Sequence, residues 1–272
     1  MSNIPNIDEI KVKMRNAWNA GDYGKFATYM EPGAIEILNG WNIAPGETML
    51  DVACGSGQIS IPAARAGVKV TGVDISPNWI AFARNRAEQE GLDAQFDEGD
   101  AESLPYEDNS FDVVATIVGA MFAPQPEKVA SEFLRVCKSG GRILMVNWTP
   151  EGMVGHMFKE IGKHAPPPPG VAPPVLWGDE KTVRERFLDG IDSLKLTRKN
   201  YPLWTYPFEP AELVQFFFDF YGPTEKAYGS LDEQGRDSLR RGLETVFSNH
   251  NTDTNGTTTL QAEYLEVEAV KK

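Results

Sequence analysis

Along the first 150 residues, short apolar runs alternate with stretches whose apolar residues recur at helical spacing. Ile7, Ile10, Met14, Ala17 and Trp18 predict an amphipathic helix over 7–20, ended by Gly21-Asp22. Tyr23, Phe26, Tyr29 and Met30 follow, and Pro32-Gly33 predicts a break before a short helix over 34–41. After a turn at 44–47, the run Thr48-Met49-Leu50 leads into Asp51 and predicts a first strand. Gly55 and Gly57 flank one small residue, Ser56, and a helix over 59–66 stops at Gly67. A second strand over 68–74 ends in Asp74, and Ser76-Pro77 supplies an N-cap and first-turn proline for a helix over 78–90. A short third strand (94–96), a buried fourth (111–118), a helix (126–136) closed by Ser139-Gly140-Gly141, and a fifth strand (142–148) complete the run. Strands alternating with helices in this way predict a parallel sheet with helices on both faces.

After Trp148 the rhythm changes. The segment 149–189 carries Pro166 to Pro169 and Pro173-Pro174. Met153, Met157, Phe158, Ile161, Val175, Leu176 and Trp177 give it more apolar area than a disordered linker holds, so it reads as an ordered insertion over the sheet edge. Helices are predicted over 181–187, 210–220 and 231–247, and a strand over 194–206. Residues 260–270 alternate with period two and predict an antiparallel closing strand.

Composition narrows the picture. The chain has 272 residues, enough for one large domain, and a formal charge of -13. Its Lys and Arg residues are scattered, which disfavours a nucleic-acid partner. The surplus acid repels anionic membranes, and no apolar run approaches the ~20 residues of a membrane span. Cys54 and Cys137, too few for a disulfide framework, fit a reducing compartment, and no signal peptide is read, so a cytoplasmic location is expected.

The turn after the first strand sits where open α/β sheets bind ligands. Two ligands compete for it. Gly55-x-Gly57-x-x-Ser60 nearly satisfies the dinucleotide pattern, with Asp74 at the spacing of a ribose contact. Three features favour an aminoacyl nucleoside instead. Asp51 precedes the glycines, where a pyrophosphate would be repelled and an ammonium welcomed. Another acidic turn, Gly99-Asp100-Ala101-Glu102, ends the third strand, where an adenine amino group could be read. The third glycine of the dinucleotide pattern is absent.

The stretch Asp51-Val52-Ala53-Cys54-Gly55-Ser56-Gly57 resembles the first motif of class I S-adenosylmethionine-dependent methyltransferases. Val73-Asp74-Ile75-Ser76, then Gly99 to Tyr106 with Ser110 to Val114, and Arg135 to Arg142 resemble the motifs that follow, in order. Ser139 stands where proline is usual. The resemblance covers about residues 45–148 and is nearest to the ubiquinone/menaquinone-biosynthesis type of bacterial small-molecule methyltransferases. Beyond it, Asn147 to Gly152 and the proline-rich stretch resemble bacterial methyltransferases without assigned substrates.

The resemblance implies a Rossmann-like, seven-stranded, mostly parallel sheet with an antiparallel last strand and a helical, proline-rich cap. It divides the chain into a helical cap (1–44), an S-adenosylmethionine-binding core (45–150), an inserted lid (151–190) and a C-terminal completion of the sheet (191–272). It implies that Asp74 accepts the ribose hydroxyls, and that Gly55, Ser56, Gly57 and Ala53 form the turn around the methionine part, whose carboxylate the following helix start favours. It further implies that Asp51 orients the turn or the ammonium, Ile75 packs on the adenine, Asp100, Ala101 and Glu102 surround its edge, and Ile117 lies near the sulfonium. Asp112 reads as structural, and Cys54 as a small packing residue.

The expected activity is methyl transfer to a small apolar or aromatic acceptor, with S-adenosylhomocysteine as product. A cofactor-binding sensor is the alternative, and a nicotinamide-dependent oxidoreductase a third reading. A sulfonium is already an activated electrophile, so positioning and desolvation can supply most of the acceleration. His156, His164 and Tyr23 are the candidate general bases, each with a surface or packing reading beside it. Tyr23, Met121, Phe122 and Trp177 are the candidate substrate cap, drawn from a wider aromatic set that includes Trp18, Tyr29, Trp204, Tyr206 and Phe216 to Phe218. No metal-ligand spacing appears. No nucleic acid or membrane partner is expected, and the sequence leaves room for a homodimer.

Overall fold

A computed structural model describes residues 6–19, 23–167 and 170–272. Its strands are β1 (Thr48–Val52), β2 (Lys69–Asp74), β3 (Ala94–Glu98), β4 (Phe111–Ile117), β5 (Cys137–Trp148), β6 (Ile191–Asn200), β7 (Thr205–Tyr206), β8 (Thr258–Thr259) and β9 (Glu263–Lys271). Seven of them form one sheet in the order β3-β2-β1-β4-β5-β9-β6, and β7 pairs with β8. The first five are parallel, and β9 runs antiparallel between β5 and β6. This is the mostly parallel, Rossmann-like sheet with an antiparallel closing strand that the sequence predicts.

The helices are α1 (Ile7–Asn19), α2 (Tyr23–Gly40), α3 (Ser60–Arg65), α4 (Pro77–Glu90), α5 (Pro126–Val136), α6 (Met153–His164), α7 (Glu180–Arg186), α8 (Pro210–Phe220), α9 (Gly222–Gly229) and α10 (Glu233–Asn249). Local chemistry sets several boundaries. Ser76 accepts the Trp79 N–H at the start of α4, and Gly91 closes that helix in the left-handed conformation. Asp179 and Asp232 cap α7 and α10 in the same way.

Parallel register brings the carboxyl ends of β1 to β4 to one edge, pairing Val52 with Val73, Asp74 with Glu98, and Ile117 with Val146. Strand order reverses between β1 and β4, which makes that edge the place for a ligand. Asp112 lies at the opposite end of β4. Its carboxylate accepts from Lys138, Thr48 Oγ1 and the Thr48 N–H, and the Lys138 contact chiefly holds it well below the usual carboxylate range. It ties β4 to β1, a structural role.

Several boundaries differ from expectation. Pro32-Gly33 does not break α2, because the buried stripe Phe26, Met30, Ala34, Ile37, Leu38 and Trp41 runs across it. Gly33 is needed for approach instead: a Cβ there would lie 2.2 Å from the Pro202 carbonyl oxygen. The strand expected over 194–206 stops at Asn200, and the chain leaves the sheet at Tyr201-Pro202 before pairing again in β7. Ser139 to Gly141 lie inside β5 rather than closing a helix. The closing strand starts at Glu263, and α9 has no counterpart in the predicted elements.

The insertion over 149–189 packs as α6, a single-turn helix over Pro174–Gly178, and α7, with Met153, Met157, Val175 and Trp177 in the main core. Of the proline run Pro166 to Pro169, the last two residues lie outside the described residues. Among the described residues, no helix is long and apolar enough to cross a membrane.

Candidate functional site

Four loops meet at the carboxyl edge. The one after β1 turns through left-handed backbone at Ala53 (φ 58°), Gly55 (φ 52°) and Gly57 (φ 81°). Such angles are costly for a residue with a Cβ, so two of the three are glycine. The Gly55 N–H donates to Asp74 Oδ2 at 2.9 Å, and the Ser76 N–H donates to Asp74 Oδ1 at 2.8 Å. Each oxygen of this buried carboxylate thus holds one backbone donor and keeps a further acceptor site. Burial raises the Asp74 carboxyl above its ordinary range, against the pull of those donors.

After β3, Asp100 Oδ1 accepts the Glu102 N–H at 2.9 Å, and Asp100 Oδ2 accepts Lys11 Nζ at 2.6 Å. Glu102 is buried, takes the Gln125 N–H and side-chain amide at 2.7 Å each, and pairs with Lys11 at 2.5 Å. Burial alone would lower the Lys11 ammonium, but its two carboxylate partners outweigh that and raise it. Helix α1 therefore lies across this edge. Arg15 pairs with Glu98, Asn19 accepts from Ser76 Oγ, and the Trp18 carbonyl accepts from Trp79 Nε1.

After β4, Val118 adopts a left-handed backbone (φ 47°), unusual for a β-branched residue. Gly119 follows. A Cβ there would lie 2.7 Å from both the Ala53 Cβ and the Ala53 carbonyl oxygen, so the first and fourth loops touch.

These loops and α1 enclose a cleft of about 100 Å³. Of the residues singled out in the sequence, Ala53, Gly55, Asp74, Ile75, Asp100, Ala101, Ile117, Phe122 and Trp18 line it. Lys11, Gln58, Trp79 and Val118 line it as well, none of them a site candidate in the sequence, as does Met14 of the α1 stripe. Lys11, Met14 and Trp18 share one face of α1 at i, i+3 and i+7; in the sequence Met14 and Trp18 fall in the apolar stripe and Lys11 is left out of it.

Other candidates lie elsewhere. Asp51 is buried behind Ala53, lining a cavity of about 20 Å³ and accepting from Ser60 Oγ at 2.6 Å. Burial pushes its carboxyl up to about 7. Ser56 is buried and offers its carbonyl to Arg86, and Gly57 packs under α3 beside Ile61. Glu102 fastens Lys11 and Gln125 and does not line the cleft.

The substrate-cap expectation needs correction at two residues. Met121 and Trp177 are each 1% exposed and belong to the core. Trp177 is no lid: the Arg186 guanidinium lies 4.3 Å from the centre of its ring and Phe187 packs beside it. The candidate bases are also displaced. His156 Nδ1 lies 3.0 Å from His250 Nε2 in an exposed pair, and His164 lies 3.8 Å from Glu160. Neither lines this cleft or the two smaller cavities beside it. The Tyr23 side chain lies outside the described residues. Among the described residues, no three His, Cys, Asp or Glu side chains gather as a metal site.

A family model described as a methyltransferase domain matches residues 50–145. Two uncharacterized proteins of Mycobacterium tuberculosis are 38% identical over 219 and 222 residues, 80% of this chain and 80% of each relative. A demethylmenaquinone methyltransferase of Renibacterium salmoninarum is 35% identical over 113 residues, 42% of this chain and 46% of that protein. Among solved structures, a putative methyltransferase from Bacillus halodurans superposes with a TM-score of 0.58 at 20% identity, over 88% of this chain and 98% of that one. With this fold, this ordered set of loops and these relatives, the chain carries a methyltransferase domain over residues 50–145 and belongs to one family with the mycobacterial proteins it matches over most of its length.

Proposed function

We propose that the protein transfers a methyl group from S-adenosylmethionine to a small apolar or aromatic acceptor, by positioning and desolvation. The observation that carries this reading is Asp74, a buried strand-end carboxylate with one backbone donor on each oxygen, facing the same cleft as Asp100. Its two remaining acceptor sites match two adjacent ribose hydroxyls, which are neutral donors a desolvated carboxylate can take without a counter-charge. Asp100 lies one strand further out, where it can accept from the adenine amino group, and Ile75 and Ala101 line the cleft as apolar surface for the base.

When bound, S-adenosylmethionine supplies a methyl group on a sulfonium. The chain's own contribution is orientation and the exclusion of water. Ile117, Val118, Phe122 and Trp18 form the apolar end of the cleft, and no histidine or metal-ligand cluster of the described residues reaches it. Acceleration by placement of two reactants in a dry site fits that lining.

Calorimetric titration of the full chain with S-adenosylhomocysteine, with NADH as the control ligand, tests the reading. Saturable binding of S-adenosylhomocysteine alone is expected. NADH binding, or binding of neither, overturns it.

A further inference from the structure

Behind the apolar end of the cleft lies a second chamber, shared with it through Trp18, Val118 and Phe122. Its inner walls are aromatic. Trp148 and Trp204 stack at 5.4 Å with 19° between their planes, and Phe26 meets Phe217 edge to face at 5.0 Å. Met30, Tyr221 and, from α6, Val154 and Met157 complete it. No carboxylate, amine, guanidinium or imidazole is among its lining residues. Its volume of about 20 Å³ is room for only one or two water molecules, so a ring enters only if a wall moves. Trp18 is the wall residue carried on α1, a helix none of whose residues is buried; its ring meets Phe122 edge to face at 5.3 Å and Tyr221 at 6.2 Å, and the helix is held as well by the polar contacts of Lys11, Arg15 and Asn19.

We propose that this chamber is the acceptor site and that it takes a flat, uncharged aromatic ring, admitted by displacement of Trp18 with α1. The proposal rests on the methyl-transfer reading above. A charged group here would lose its hydration with no ionic partner in the wall, a large penalty, whereas a flat ring gains contact with walls already arranged as stacked and edge-on rings. The atom to be methylated would face the junction at Val118, one of the three residues common to the cleft and the chamber.

The test is equilibrium binding to the protein saturated with S-adenosylhomocysteine, using 2-naphthol and 2-naphthoate, which share a ring and differ in charge at neutral pH. The naphthol is expected to bind at least ~10-fold tighter. Met157 lines the chamber and not the cleft. M157E is therefore expected to weaken naphthol binding ~10-fold or more while S-adenosylhomocysteine affinity stays within ~2-fold, and M157L is expected to keep both. Equal binding of the two probes, naphthol displacing S-adenosylhomocysteine, or unchanged naphthol binding in M157E overturns the proposal. The two-probe comparison on the unaltered protein decides it even if M157E does not fold. Failure of S-adenosylhomocysteine to bind at all overturns the methyl-transfer reading instead.

Discussion

Lys11 Nζ lies 2.6 Å from Asp100 Oδ2, so the helix that covers the cleft is fastened to a carboxylate the proposed ligand would use. The ammonium and an adenine amino group then compete for one acceptor. A partly exposed ion pair contributes about 1 kcal/mol or less, and Lys11 has a second partner in Glu102. K11M is expected to bind S-adenosylhomocysteine up to ~5-fold more tightly than the unaltered chain. Salt should strengthen binding to the unaltered chain by screening the pair, and should do so less in K11M. Titrations at low and high salt check both. Weaker binding in K11M would mean that Lys11 is part of the ligand's enclosure and not its competitor.

Asp74 carries the largest single consequence. Its carboxylate holds the Gly55 turn and the Ser76 N–H, and in the proposed complex it also holds two hydroxyls. Hydrogen bonds to a charged group contribute about 1.5–3 kcal/mol each. Asp74→Ala should therefore lower S-adenosylhomocysteine affinity by ~100-fold or more. Calorimetry on the folded variant, with circular dichroism to confirm its fold, measures this. Affinity equal to the unaltered chain's rules out the site.

Asp51 sets an unusual pH dependence. Burial raises its carboxyl to about 7 in the folded chain, against an ordinary value near 3.8 when unfolded. Between those values the folded state holds a proton that the unfolded state has released, so stability from this group is full below pH 3.8 and declines as pH rises toward 7. Above pH 7 the penalty is constant. Asp51→Asn keeps an oxygen for Ser60 Oγ and removes the charge. Urea denaturation should show little difference between D51N and the unaltered chain near pH 4. At pH 8 the variant should be more stable, by an amount that grows across the interval. A difference independent of pH would show that Asp51 does not titrate there.

The alternation of strands and helices was legible because glycines and caps bound each run locally: Ser76-Pro77, Gly67 and Gly91 each act within a few residues of where they stand. The strand-end acids were legible for the same reason, since parallel register carries Asp74 and Asp100 to one edge without long-range detail. What was not legible depends on contacts distant in sequence. Pro32-Gly33 reads as a break until Pro202 is seen against Gly33. Trp177 reads as a candidate substrate cap until Gly178 beside it is found seated on the Trp148 carbonyl, where a Cβ would lie 2.1 Å away. The apolar stripe of α1 gives no sign that Lys11 on the same face reaches Asp100, because an amphipathic pattern says which face is covered and not by what. The Gly222-Pro223 pair likewise hides α9, whose start is held by Thr224 Oγ1 donating to the Tyr221 carbonyl.

Val118 and Gly119 give opposite predictions from adjacent positions. Val118 has φ 47° and a half-buried side chain. A left-handed backbone costs a residue with a Cβ about 1–2 kcal/mol, while replacement by glycine adds about 0.5–1 kcal/mol of unfolded-state freedom and loses some packing. V118G should therefore be within about 1 kcal/mol of the unaltered chain in stability. Gly119 has an ordinary negative φ of -105°, so no strain is relieved there. An added Cβ would stand 2.7 Å from the Ala53 carbonyl oxygen and Cβ, and Ala53 has no rotamer with which to yield. G119A must push the β1 and β4 loops apart, at about 1–3 kcal/mol, and it displaces the Ala53 turn that lines the cleft. Thermal unfolding with and without S-adenosylhomocysteine separates the two. G119A should lose stability and most of its ligand-induced shift, whereas V118G should keep its stability. A G119A variant that matches the unaltered chain in both would mean that the two loops do not bear on each other.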